Sequence, residues 1–190
     1  MEEIIDLLKN GKSNPYDVPP VYESQQFLLR LVSQEDAADL LTCYSNPEAQ
    51  KIFNADTCTS DFCYSSLHEM KACIDEWLDA YNQRQYVRLS IIDKQKQKAV
   101  GTVEIFASDK YQGLGILRID IHPQYEDKDH LGELLHVADS FFHDFGCHSI
   151  VSKAIPDAKE RILTLTKHGY TFYPANSKWD RKDYYIKRRP

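Results

Sequence analysis

Residues 115–122, GILRIDIH, alternate with a period of two: Ile116, Arg118 and Asp120 against Leu117, Ile119 and Ile121. That is a strand. Pro123 has no donor for a ladder and ends it. From His130 to about Phe145 the period changes. Leu131, Leu134, Leu135, Ala138, Phe141, Phe142 and Phe145 make one broad apolar face of a helix, and Gly146 stands where such a helix stops. SIVSKAI (149–155) is again a strand. A strand, a helix and a strand in this order require a crossover with the helix on one face of a sheet.

The segments around this unit are read the same way. FLLRLV (27–32) is a strand. Ser33 and Asp36 form an S-x-x-D capping box before AADLLTCY, a helix that ends near SNPE. Ser66 and Glu69 open a second helix to about Tyr81, with Met70, Cys73, Ile74, Trp77, Leu78 and Tyr81 on one face. YVRLSIID (86–93) and AVGTVEIF (99–106) are strands joined by the polar turn KQKQK. Asp157 opens the helix DAKERILTLTKH, Gly169 stops it, and YTFYP and DYYIKR are two final strands. The expected class is α/β (α+β): a mixed, mostly antiparallel sheet of about seven strands with helices on both faces. EEIIDLLKN (2–10) reads as a short amphipathic helix. NPYDVPPVYES has three prolines, which exclude regular structure and mark an arm. The expected organisation is therefore an arm over 1–24 and one domain over 25–190.

A chain of 190 residues buries a sizeable core. A formal charge of −6 argues against nucleic acid as the main partner and suits a cationic acceptor. No apolar run is long enough to span a bilayer, and no secretory signal is seen in MEEIIDLLKNGKS. Five cysteines without C-x-x-C are read as reduced thiols in a cytoplasmic protein, with a catalytic thiol the less favoured reading. The seven histidines show no metal-ligand spacing, so no metal is expected.

The order of these motifs resembles the GNAT superfamily of acyl-CoA-dependent N-acetyltransferases. FLLRLVSQEDAADLLTCYSNPEAQ and LTKHGYTFYP are similar to the branch containing ribosomal-protein N-terminal acetyltransferases. The resemblance covers about Phe27 to Arg188. It implies acetyl-CoA as cofactor, a primary amine as acceptor (a peptide N-terminus or a small molecule), direct attack on the thioester, and a homodimer as one assembly. It also implies that the fourth and fifth strands splay to admit pantetheine, which pairs with backbone at Ile119, Asp120 and Ile121.

The family's pyrophosphate turn, Q/R-x-x-G-x-G/A, points backbone N–H groups and a helix N-terminus at the phosphates. PQYEDKDHLGELL (123–135) stands in its place. Against the family pattern the turn is Glu126, Asp127, Lys128, Asp129, His130, Leu131 and Gly132. Glu126 holds the Q/R position, Asp129 and Leu131 hold the two glycine positions, and Gly132 is one residue late. Ala158 stands where many members carry a cofactor-contacting Asn, and Leu165 where many carry a general-acid Tyr. YQGLGI (111–116) fits the signature better, but a strand follows it, so it is read as a hairpin connection.

A carboxylate about 4 Å from a phosphate charge costs about 4 kcal/mol at an effective dielectric near 20. The helix end gives an anion about 0.3–1 kcal/mol, up to about 2. The turn is thus either a weakened phosphate site, helped by Lys128, or a cap in which Asp127 or Asp129 replaces the ligand. Glu104, Asp120 and His122 are the candidate bases. The competing reading pairs Glu104 with Arg118 and makes His122 a strand-end cap. Tyr184 and Tyr185 line an acceptor pocket or pack the sheet. Two functions follow: an acetyl-CoA-dependent N-acetyltransferase, or a degenerate GNAT-fold binding module. Whether residues 126–132 present open N–H groups separates them.

Overall fold

The computed structural model describes residues 14–54, 62–108, 112–175 and 179–189. The helix expected over 2–10 and Cys58 lie outside these residues. The strands are β1 (Tyr22–Glu23), β2 (Phe27–Leu31), β3 (Val87–Asp93), β4 (Lys98–Ala107), β5 (Leu114–Ile121), β6 (Ser149–Lys153), β7 (Thr171–Tyr173) and β8 (Tyr184–Arg188). They form one sheet in the order β1-β2-β3-β4-β5-β6-β8-β7. Every pairing is antiparallel except β5 with β6, the crossover pair. Among the described residues the sheet has eight strands, where about seven are expected. The additional strand comes from the proline-rich arm. Pro15, Pro19 and Pro20 precede Tyr22–Glu23, whose own donors are intact, and Tyr22 pairs with Leu29.

Helices α1 (Ala37–Tyr44), α2 (Pro47–Phe53) and α3 (Leu67–Asn82) pack one set of side chains, including Leu40, Tyr44, Phe53, Met70, Ile74 and Trp77. Helices α4 (Lys128–Ala138), α5 (Phe141–Asp144) and α6 (Lys159–Lys167) contribute Leu131, Leu135, Phe141 and Leu165 to the main core, against Leu89, Val103, Ile119 and Ile121 of the sheet. Both expected capping boxes are present. Ser33 and Asp36 frame a 3-10 turn leading into α1, and Ser66 and Glu69 frame the start of α3.

Three local expectations are corrected. The helix expected to end near SNPE is followed directly by a second one, α2, for which no element is expected; Asn46 accepts from Glu48 N (2.9 Å) and Ala49 N (3.3 Å), and Pro47 is preset at the first helical position. The helix from 130 to 145 is two helices. Ser140 N bonds back to Val137 O, a tightened i−3 bond, at Asp139–Ser140, two poor interior helix formers. α6 has Ala158, not Asp157, at its N-cap, and no side chain caps it.

At Gly101 on β4 the sheet is pinched. A Cβ there would lie 2.1 Å from the Asp120 carbonyl oxygen and 2.7 Å from Ile121 Cα. β3 carries a register shift between Ile91 and Ile92, beside this point. Only glycine lets β4 come so close to the end of β5.

Candidate active site

The parallel ladder between β5 and β6 runs from Leu114↔Ser149 to Leu117↔Ser152. That ladder ends at Leu117↔Ser152 while β5 runs on to Ile121, so the two strands part into a wedge. This is the splay that the family resemblance implies. The helix N-terminus that should face it is α4: Glu126 and Asp127 of the candidate phosphate loop precede it, and Lys128 to Gly132 are its first residues.

Asp127 is the N-cap of α4. Its Oδ1 accepts from Asp129 N (2.9 Å) and His130 N (3.1 Å), and its Oδ2 lies 2.6 Å from His130 Nδ1. Burial raises the carboxyl pKa, but the hydrogen bonds from the His130 N–H, the His130 ring and the Asp129 N–H outweigh it and hold the group below the usual carboxylate range. Two of the N–H groups that would meet a phosphate therefore already hold an anion, the protein's own. Lys128 and Asp129 are exposed, and Leu131 is 2 % exposed in the core. Gly132 has the His168 ring 3.2 Å from where a Cβ would be. Of the acids singled out from the sequence, Asp127 is the one on the amides, whereas Asp129 faces solvent.

Glu126 has a different partner. Arg161 of α6 donates from Nε (2.6 Å) and Nη2 (2.8 Å) to its two carboxylate oxygens, and from Nη1 to the Ile119 carbonyl oxygen (2.9 Å). Arg161 is 6 % exposed. Burial alone would lower its pKa; Glu126 reverses this and holds the guanidinium protonated. The guanidinium thus sits on backbone that was expected to pair with pantetheine. The wedge between Arg118–Asp120 and Ser152–Lys153 keeps only ≈ 20 Å³ of space, about one water. Farther out, α2, the end of β5 and the start of α6 enclose a cavity of ≈ 300 Å³. Ala49, Ile52, Ile121, Pro123 and Ala158 line it, with Glu126 and Arg161.

The candidate bases are not brought to this cavity. Asp120 is 2 % exposed and accepts from Tyr44 Oη (3.0 Å), Arg88 Nη1 (3.2 Å) and Arg118 Nε (2.8 Å). Glu104 is ion-paired with Arg88 of β3, the neighbouring strand on the other side from Arg118. Arg88 also donates to Thr102 Oγ1 (3.1 Å) and lies 4.2 Å over the Trp77 ring; Arg118 lies 4.6 Å over Phe62. Two buried guanidiniums therefore hold both carboxylates as counterions. His122 lines a separate cavity of ≈ 160 Å³ with Lys96, Thr42 and Tyr125. Its pKa is lowered by burial and by Lys96, so the ring is neutral near pH 7. Its Nδ1 accepts from Gln124 N (3.3 Å), which makes it a cap and engages the neutral ring's one acceptor nitrogen.

Tyr184 is 1 % exposed and packs with Trp179, Val151 and Ile186, and Tyr185 is half-buried against Phe172. Cys43, Cys63, Cys73 and Cys147 are free thiols; burial pushes Cys73 and Cys147 up to about 11, so both are protonated near neutral pH. Among the described residues, no group of three or more His, Cys, Asp or Glu is arranged to hold a metal ion, and no helix is long and apolar enough to cross a membrane. Sequence reasoning missed Arg161 and Arg88. The signal for Arg161 was its position one turn before Leu165, a charge on the apolar face of α6.

No curated protein matches the sequence. Solved structures do match in fold. A putative ribosomal-protein-serine acetyltransferase from Vibrio cholerae is 15% identical, with TM-score 0.69, over 90% of this chain and 98% of that one. A GNAT-family acetyltransferase from Bacillus anthracis is 13% identical, with TM-score 0.67, over 90% and 99%. Spermidine N-acetyltransferase from Vibrio cholerae, solved with CoA and spermine, is 15% identical, with TM-score 0.64, over 87% and 94%. The family model described as "Acetyltransferase (GNAT) domain" matches residues 26–171. With the splayed β5–β6 pair, the crossover helix and that match, the chain belongs to the GNAT acetyltransferase family.

Proposed function

We propose that this chain is a GNAT-fold binding module whose acetyl-CoA site is closed by its own side chains. The observation that carries the reading is the Asp127 carboxylate on the amides of Asp129 and His130. A phosphate arriving there would have to displace an anion that is already bonded, and would meet its charge. Two further features agree. Arg161 fills the wedge that pantetheine would need, and Glu104 and Asp120 are counterions of buried arginines. The residues present do not fit acetyl-CoA in this arrangement.

The second reading is an acetyl-CoA-dependent N-acetyltransferase acting on a primary amine, a peptide N-terminus or small molecule, by direct attack. One observation favours it: the strands still part after Leu117 and Ser152, as that chemistry requires.

A thermal melt with millimolar acetyl-CoA, and with free CoA beside it, separates the two. A ligand at about 100 times its dissociation constant adds about 2.7 kcal/mol and moves the midpoint by a few degrees. The module reading expects no shift. A shift of that size favours the transferase instead.

A further inference from the structure

The ≈ 300 Å³ cavity beside the wedge is not empty of chemistry. Arg161 and Glu126 both line it, and they hold each other by two hydrogen bonds. One is a fixed cation. It lies inside α6, 6 % exposed, and is tied to the Ile119 carbonyl oxygen. The other is less constrained: Glu126 closes the 3-10 turn Pro123–Tyr125, outside any strand ladder, with its side chain 15% exposed. Glutamate has the rotamer freedom to leave the guanidinium and turn into the cavity. It cannot leave alone, because a buried guanidinium without a counterion is costly.

A ligand that replaces it must bring its own carboxylate to the fork of Arg161. A plain anion is disfavoured, since Glu126 would remain beside it and exposed Glu48, Asp157 and Glu160 line the cavity against one exposed cation, Lys159. A plain cation would be placed next to Arg161. A zwitterion meets both demands. Its carboxylate takes the Arg161 fork, and its ammonium takes the released Glu126. One ion pair becomes two, with no charge left unpaired. The inner wall is apolar, Ala49, Ile52, Ile121 and Pro123, and exposed Glu48 and Lys159 stand with the other charges of the lining. The volume is at the small end for ligand pockets, about 300–1,000 Å³.

We propose that this cavity binds a free amino acid with an apolar side chain, through exchange of the Glu126–Arg161 ion pair. The inference rests on the reading that acetyl-CoA does not occupy the cleft.

The test is a thermal melt of the full chain with free leucine or phenylalanine, each compared with its amide and its N-acetyl derivative. The free amino acid is expected to raise the midpoint by a few degrees when present at about 100 times its dissociation constant. The amide lacks the carboxylate and the N-acetyl form lacks the ammonium, so neither should shift it. The double substitution Glu126→Gln with Arg161→Met removes both charges together, leaves no buried ion unpaired, and should abolish the response. Equal shifts from all derivatives, or a response that survives the double substitution, would overturn the proposal. Acetyl-CoA is run in parallel. No shift with either ligand refutes this inference and leaves the module reading standing. A shift with acetyl-CoA alone refutes both.

Discussion

Arg161 and Asp127 each bond backbone with one side chain: Arg161 the Ile119 carbonyl oxygen, Asp127 the amides of Asp129 and His130. Their energetic weights differ. Arg161 is buried and its partner nearly so, and removing one member of such a pair leaves an uncompensated charge. Arg161→Met is expected to cost about 3–5 kcal/mol, and the double substitution with Glu126→Gln much less than that. Urea denaturation of the two variants measures the difference. Asp127 is a surface cap. Asp127→Ala should cost about 1 kcal/mol, a loss that the same denaturation curves would show. It also frees two N–H groups, and a gain in acetyl-CoA binding by that variant would identify the cap as the block.

Asp36 gives the pH dependence. Burial raises its pKa, but Arg30, Ser90 and the Ser33 N–H bond the carboxylate and bring it below the usual value. A carboxyl depressed on folding stabilises the protein above its unfolded pKa, near about 4. That contribution is lost as pH falls through the lower, folded value. Stability measured from neutral pH down to about 3 should therefore fall on the acid side, and Asp36→Asn should flatten that limb while lowering stability at pH 7.

At the level of elements, the alternation of 115–122, the apolar face of α3 and the glycine stops at Gly146 and Gly169 were legible because each is a periodic or steric signal within a few residues. α2 was not. Its seven residues offer little periodicity, and the sign that existed was Asn46 before Pro47, a cap and a first-turn proline. Asn46→Ala tests that account. It should lower stability by about 0.5–2 kcal/mol, read in the same urea titration, and α2 forms one wall of the cavity. The site was legible in part for a similar reason. That Asp129 and Leu131 stand where the family pattern has glycines was plain, but which acid faced the amides depends on the N-cap position, a one-residue matter. The Glu126–Arg161 pair joins residues far apart in the chain, and no spacing rule reaches that distance.

For the whole molecule, Gly101 sets what can move. Gly101→Ala would force a Cβ into the backbone of Asp120 and Ile121. It should cost about 1–3 kcal/mol or more, as overpacking does, and thermal denaturation would show it. Because β4 and β5 are stapled there, the wedge behaves like a book with a glued spine. β5 cannot tilt toward β4's side to make room. Any widening is expected on the other leaf: β6, β8 and, at the rim of the sheet, β7. The far edge of that leaf is the outermost strand, Thr171–Tyr173, where Phe172 stands 56% exposed. The hinge of the book is a residue that has no side chain.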